Sequence, residues 1–399
     1  MSDYENDIKL RTDHYFKLTK KIVEKHGDIE VTYAVFMRRP VIYCPKLAID
    51  WISSVVDSRG YKIKINECFE EGAWVGAGEC LMYISGKLSI LADLETIYLQ
   101  KLGGACVAAY NTFGMASDLP KVGFIAMDAR HCAGAEMQEL MAYGASVGSK
   151  KAQNEQGAIG FIGSANDITA HFFGQKNGVG TMPHALVGYA GSTLNAANMF
   201  KETYPGESIT VLIDYFGKEI SDTLEVCKEL KDMANKGLLS VRIDTHGGRF
   251  VEGLDTAKSY ELLDKNAPHA IRTFRTEQEL KWLVGTGVSA AALWHLRLAL
   301  DSNGWKKVKI IASSGFSPEK CKLIASVGAP VDMIGTGSYI PDSWSETYAT
   351  ADIIEYGGIS RVKIGREFLL PNKISSLLAE LFLEKHTKNI LMPVKLSCR

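Results

Sequence analysis

From Lys121 onward the chain alternates short apolar runs with longer helical patterns, and this alternation limits the fold more than any other feature. The runs are "VGFIAM", "GAIGFIG", "NGVGT", "SITVLID", "LLSVRID", "KVKIIAS" and "PVDMIG". Each is short and apolar on both faces, as in strands buried under helices on either side. Between them lie segments with apolar residues at helical period, such as Ala133 to Lys151, Gly217 to Asn235 and Pro318 to Val327. These strands, separated mostly by helices, predict an α/β domain whose parallel sheet closes as a barrel or is doubly wound.

The flanks read differently. Residues 29 to 90 carry alternating runs such as "YKIKINECF" and "LMYISGKLSI", broken by "EEGAWVGAGE", a hairpin-rich β pattern. A helix is predicted from Leu91 to Ser117, with Gly103 and Gly104 allowing close packing. Asp352 to Leu370 reads as β again and the tail as helix. The expected division is an N-terminal α+β domain over 1–120, a barrel with the site over 121–339, and a segment 340–399 that returns to the N-terminal domain. For 399 residues, more than one domain is the natural size.

Charge narrows the partners. With 45 Lys+Arg against 46 Asp+Glu, the net charge of -1 gives no reason to expect nucleic acid or anionic lipid. No apolar run approaches the roughly 18 residues of a membrane span, and the polar start "MSDYENDIKLRTDHYF" is unlike a signal peptide, so a cytoplasmic protein is expected. Eight cysteines stand singly at 44, 68, 80, 106, 132, 227, 321 and 398, without a CxxC pair or zinc-ligand spacing. They read as reduced core thiols, with Cys398 exposed. Any anionic ligand must be held by local positive charge.

Chemistry in parallel α/β folds gathers at the carboxyl ends of the strands. Those ends read "MDARH", "IGSAND", "GTMPH", "LIDYFGK", "VRIDTHGGR", "ASSGF" and "IGTGS". The last two, Ser314-Gly315 and Gly335-Thr336, have the small residues that let backbone N–H groups approach a phosphate; ordinary tight turns are the alternative. Asp214 and Asp244 each end an apolar strand, either as helix caps or as carboxylates that hold sugar hydroxyls or a Mg²⁺ ion. Arg242 shares a strand face with Asp244, and its charge inside an apolar run points to an anion nearby. Arg130, His131, Lys150, Lys151 and Arg249 add positive groups near other element ends. His184, just after Pro183, stands at a strand-to-helix junction, as a cap or as a chemical group. "GTGVSA", Gly285 to Ala290, has dinucleotide-loop spacing but follows a helical pattern, which excludes it.

"RTDHYF", "GTMPHAL", "VRIDT", "SSGF" and "GTGS" occur in an order that resembles the nicotinate phosphoribosyltransferases, in their shorter, archaeal-type branch. The resemblance runs from about Arg11 to Leu370. It implies an irregular α/β barrel of the type II phosphoribosyltransferase kind, a sandwich domain built from both chain ends, and a homodimer or larger assembly with sites at the subunit interface. The implied reaction joins nicotinate to 5-phosphoribosyl-1-pyrophosphate, giving nicotinate mononucleotide and pyrophosphate with Mg²⁺, in many members coupled to ATP.

On this resemblance His184 is the histidine that ATP phosphorylates, and Tyr15 stacks on the pyridine ring, reaching a neighbouring subunit, with Asp13 beside it. Arg130 lies near base and phosphates, Arg242 and Asp244 at the ribose and phosphate side, and Asp214 is a second ribose- or metal-side acid. Ser314, Gly315, Gly335 and Thr336 form the 5'-phosphate loops, and Lys150, Ser164 and Thr181 complete the expected substrate contacts. The chain departs from the family in two places. Phe-Gly-x-Arg is Met127-Asp128-Ala129-Arg130, and "DSGD" is "DTHGGR". Ala165 occupies the position of an aspartate in nicotinamide-specific enzymes, which favours a carboxylate base. The alternatives are a nicotinamide phosphoribosyltransferase, a quinolinate phosphoribosyltransferase, disfavoured by "GTMPHAL", and a non-catalytic paralogue that binds a pyridine nucleotide.

Overall fold

The computed structural model describes residues 3–180, 182–340 and 348–371. The chain divides into two compact units, Met1–Gly103 with Ser345–Arg399, and Gly104–Trp344. The division falls inside one helix, Glu95–Asp118.

In the first unit, strands β1 (Glu30–Met37), β2 (Val41–Ile42), β3 (Lys64–Glu67), β4 (Trp74–Val75) and β5 (Cys80–Lys87) follow the hairpin pattern read from residues 29 to 90. β1, β3 and β5 belong to a five-stranded antiparallel sheet, and β2 and β4 form a separate ribbon. The sheet draws on both flanks of the sequence. Its order is β13-β12-β1-β5-β3, where β12 is Ala349–Tyr356 and β13 is Ile359–Ser360. Ala34, Phe36, Cys80, Ile354 and Leu369 close one patch of its core. The predicted tail helix and Cys398 lie outside the described residues. Cysteines 44, 80, 106, 227 and 321 are buried as expected, but Cys68 is exposed and Cys132 half-buried.

The second unit holds six parallel strands: β6 (Gly123–Ala126), β7 (Gly160–Ser164), β8 (Ile209–Leu212), β9 (Leu239–Ile243), β10 (Lys309–Ala312) and β11 (Met333–Thr336). Their order is β7-β6-β11-β10-β9-β8, so β11 pairs with β6 and the chain order is cyclically permuted. The expected strand at "NGVGT" does not form over its described residues, 177–180. "NGVGT" meets the end of β7 through one backbone bond, Val179 N–H to Ser164 O at 2.7 Å, while the Asp167 carboxylate takes the Gly178 N–H at 2.7 Å. A side chain thus occupies a donor that a ladder would need. A Cβ at Gly178 would stand 2.7 Å from the Asn166 backbone, so only glycine permits the approach. No helix among the described residues is long and apolar enough to cross a membrane.

Close packing of Glu95–Asp118 against Ala135–Gln156 comes from glycines on the second helix, not from Gly104. A Cβ at Gly144 would stand 2.5 Å from Ala105 O, and one at Gly148 would collide with Ala109 O and Thr112 Oγ1, whereas Gly104 faces only the flexible end of Met141. Gly148→Ala should therefore lower unfolding stability by about 1–3 kcal/mol, seen as a reduced urea midpoint. An unchanged midpoint would refute this helix contact.

Candidate functional site

All six strands of the second unit are parallel, so their following loops leave one edge of the sheet. β9 brings Arg242, 7% exposed, to that edge. Its Nη1 donates to Asp244 Oδ2 at 3.3 Å and to Ser313 Oγ at 3.3 Å, and its Nη2 donates to Met182 O at 3.0 Å. Three segments distant in sequence are tied by one guanidinium. Burial pulls Arg242 below its ordinary value, the charges of Asp244 and Asp214 oppose that, and Arg130 adds to the depression. Its Nε is buried without a partner among the described residues, a donor free to meet an anion.

Asp214 stands two residues past the end of β8, and its Oδ2 lies 3.1 Å from His184 Nε2. The histidine is half-exposed and begins the helix His184–Ala190, preceded by Pro183 in an extended conformation. Asp214 is held from behind. Arg249 Nη2 donates to Asp214 O at 2.7 Å and pairs with Glu219 Oε1 at 2.5 Å. Glu219 has no exposed surface and also accepts from Thr245 Oγ1 at 2.9 Å and Glu252 N–H at 3.1 Å. Asp214 Oδ1 is buried and unpartnered among the described residues.

After β10, Ser314 has φ 78°, the only non-glycine at positive φ among the described residues, and Gly315 follows at φ 72°. Consecutive residues at positive φ make a tight turn, and small residues there let backbone N–H groups approach an anion. Ser317 caps the helix Pro318–Ser326 by accepting from Lys320 N–H. Lys320 is 4% exposed; its Nζ donates to Ser314 O at 3.0 Å and lies 4.1 Å from the centre of the Phe316 ring. Burial pulls its ammonium down to about 8. The neighbouring loop is knitted on by Thr336 Oγ1, which donates to Phe316 O at 2.9 Å. A Cβ at Gly335 would stand 2.6 Å from Met127 Sδ, so a side chain there would displace the flexible end of Met127.

No protein-family model matches the sequence, and no curated protein matches it. Among solved structures, it is similar to nicotinate-nucleotide pyrophosphorylase from Pyrococcus furiosus, with TM-score 0.66 and 23% identity over 90% of this chain and 79% of that one. It is also similar to human nicotinic acid phosphoribosyltransferase, with TM-score 0.57 and 15% identity over 88% and 75% of the two chains. The nicotinate-nucleotide pyrophosphorylase from Ehrlichia chaffeensis gives 0.55 and 13% over 88% and 99%. The chain shares their fold.

Several expected residues meet at the sheet edge: His184, Asp214, Arg242, Asp244, Ser314, Gly315, Gly335 and Thr336. Arg130, exposed in the turn after β6, joins them through its field on Arg242. Ser164 ends β7, but its hydroxyl is occupied within the loop, donating to Asn166 O at 3.1 Å and accepting from Thr169 Oγ1 at 2.9 Å. Ala165 is exposed beside it. Lys150 does not join. It lies late in the helix Ala135–Gln156, between Ser149, which accepts from Phe161 N–H, and Lys151, which pairs with Glu155; Phe161 is near the start of β7, the end opposite to the site. Thr181 lies outside the described residues. Tyr15 and Asp13 belong to the first unit, where Tyr15 is 60% exposed and donates to Asp13 Oδ2 at 3.2 Å, with Thr96 Oγ1 donating to the same oxygen at 3.0 Å.

Lys320, Glu219 and Ser313 were not among the expected residues. Both charges stand on the buried stripe of their helices, Glu219 with Thr223, Val226 and Cys227, and Lys320 with Leu323 and Ile324. A charge at a core-facing position of a helical repeat was the signal available. Asp128, at the end of β6, is also new: it is 1% exposed, accepts from Cys132 Sγ at 3.6 Å, and burial pushes its carboxyl up to about 6. A folded-state value above the unfolded one means that Asp128 ionisation costs stability as pH rises towards 6, and the loss is complete above it. Asp128→Asn should thus stabilise the protein at pH 7.5 by on the order of 2 kcal/mol and give no gain at pH 4. Denaturation at both pH values checks this; an equal difference at both would contradict it.

Proposed function

We propose that the protein is a phosphoribosyltransferase of pyridine-nucleotide salvage, joining nicotinate to 5-phosphoribosyl-1-pyrophosphate to give nicotinate mononucleotide and pyrophosphate, coupled to ATP through His184. The supporting observation is the convergence, on one edge of a parallel sheet, of a histidine–aspartate pair, a pair between buried Arg242 and half-buried Asp244, and a loop with an underlying lysine. In this proposal the six strands form an irregular barrel of the archaeal-type enzymes, and the antiparallel unit is the sandwich domain. The working form is a cytoplasmic homodimer in which Tyr15 and Asp13 serve the base side.

Each group has a role that its surroundings support. Asp214 Oδ2 accepts a hydrogen bond from His184 Nε2–H, which leaves the Nδ1 lone pair as the nucleophile. Attack on the γ-phosphorus of ATP forms an N–P bond and breaks the P–O bond to ADP. At the transferring centre, the anomeric C–O bond stretches toward a cationic sugar while pyrophosphate leaves, so Asp244 and Asp214 face developing positive charge. Arg242 and Arg130 face phosphate. The N–H groups of the Ser313–Ser317 loop hold the 5'-phosphate, with Lys320 beneath them supplying charge.

Among the described residues, no group of three His, Cys, Asp or Glu is gathered to hold a metal alone. The unpartnered Asp214 Oδ1 and the Asp244 carboxylate fit Mg²⁺ in its usual manner, one or two carboxylates with ligand phosphate oxygens. When bound, Mg²⁺ neutralises the leaving pyrophosphate.

Two of the structural neighbours carry the name nicotinate-nucleotide pyrophosphorylase, so that activity is the competing assignment. The His184–Asp214 pair favours the ATP-coupled reaction, because a transfer without a phosphohistidine has no use for it. Purified protein given the phosphoribosyl donor with radiolabelled nicotinate or nicotinamide decides between the bases. With Ala165 in place of an acid, nicotinate should lead by at least about tenfold in kcat/KM, or about 1.4 kcal/mol. Equal use of both bases would remove the nicotinate assignment, and transfer to neither would remove the reaction.

A further inference from the structure

In the first unit, Cys68 and Cys80 meet across the β3–β5 ladder. Their strands pair in the register Glu67 to Met82, and the ladder continues with Cys68 N–H donating to Leu81 O at 2.9 Å. On the other side of β5 the register slips: Val35 faces Met82 but Phe36 faces Cys80, so Leu81 is an extra residue. A bulge of this kind re-aims the neighbouring side chains. The Cys80 thiol donates to Met82 O at 3.4 Å, and the two thiols are close enough for each to shift the ionisation of the other.

Their surroundings are opposite. Cys80 is 4% exposed among Ala34, Phe36, Ile354 and Leu369. Cys68 is exposed, at a groove of about 630 Å³ that also takes in Lys46, Glu67 and Phe69. The neighbouring Cys80 thiol lowers Cys68, whereas Cys68 and burial raise Cys80. The reachable sulfur is the more acidic of the two, and the buried one holds its proton more tightly. Such an asymmetric pair suits attack by the first and resolution by the second.

We propose that Cys68 and Cys80 are a dithiol that small peroxides convert to a disulfide. The Cys68 sulfur attacks one oxygen of hydrogen peroxide, the O–O bond breaks, and sulfenic acid and water result. The Cys80 sulfur then attacks Cys68, expels the sulfenic oxygen as a second water that carries the Cys80 proton, and closes the S–S bond. Two thiols are oxidised and one peroxide is reduced. The link closes residues 69–79, which include β4 and the half-exposed Trp74, into a loop.

The test uses the reduced full-length protein, treated with hydrogen peroxide, alkylated, and mapped without reductant. The expected product is a Cys68–Cys80 linked peptide that disappears on reduction. Cys80→Ser should instead leave a dimedone-reactive sulfenic acid on Cys68. Since Cys80 is buried and its variant can fail to fold, the exposed Cys68→Ser provides the second arm and should leave Cys80 unoxidised at the same peroxide dose. Progression of Cys68 to sulfinic acid without a link, linkage of Cys68 to another cysteine, or no oxidation of either thiol would overturn the proposal.

Discussion

The site depends on one buried charge, Glu219. A carboxylate with no exposed surface must be paired or neutralised, and Glu219 is paired by Arg249, which also holds the backbone carbonyl of Asp214. Such an ion pair does little for net stability, since desolvation offsets much of its attraction; its effect is to fix position. The end of β8 is thereby anchored, and the Asp214 side chain is presented to His184. A residue outside the predicted site sets the geometry of the pair inside it.

Arg242 performs the corresponding task one strand further on. It joins the end of β9 to Ser313 after β10 and to Met182 before the His184 helix, so the histidine, the carboxylates and the phosphate-type loop are parts of one hydrogen-bonded assembly. The arrangement alternates in sign. Asp214 and Asp244 lie among Arg242, Arg130 and Lys320, which suits a ligand whose own charge changes sign along its length, phosphates at the ends and a cationic sugar carbon between. The helical cap at Ser317 and the bond from Lys320 to Ser314 hold the left-handed turn that a serine rarely adopts.

The periodicity that revealed six of the strands is set by burial on both faces, and β6 to β11 are where such runs were read. It failed at "NGVGT", where the Asp167 carboxylate and the Asn166 backbone determine the path of the chain. Strand-end residues were legible for the same reason that the strands were: a carboxylate or arginine ending an apolar run stands out. Lys150 misled because helix direction in a crossover unit places late helical residues at the far end of the sheet. Glu219 and Lys320 were hidden by the habit of assigning helical charges to solvent, although both sit on apolar stripes.

In the proposed function, Asp214, anchored through Arg249 and Glu219, makes Nδ1 of His184 a phosphoryl acceptor. Incubation with γ-³²P-ATP, acid and base stability of the protein-bound label, and comparison with His184→Asn test it most directly. Acid-labile label on the wild type that vanishes in the variant, together with loss of ATP stimulation but retention of some ATP-independent synthesis, is the predicted result. Label that persists in His184→Asn, or undiminished ATP stimulation there, would contradict it.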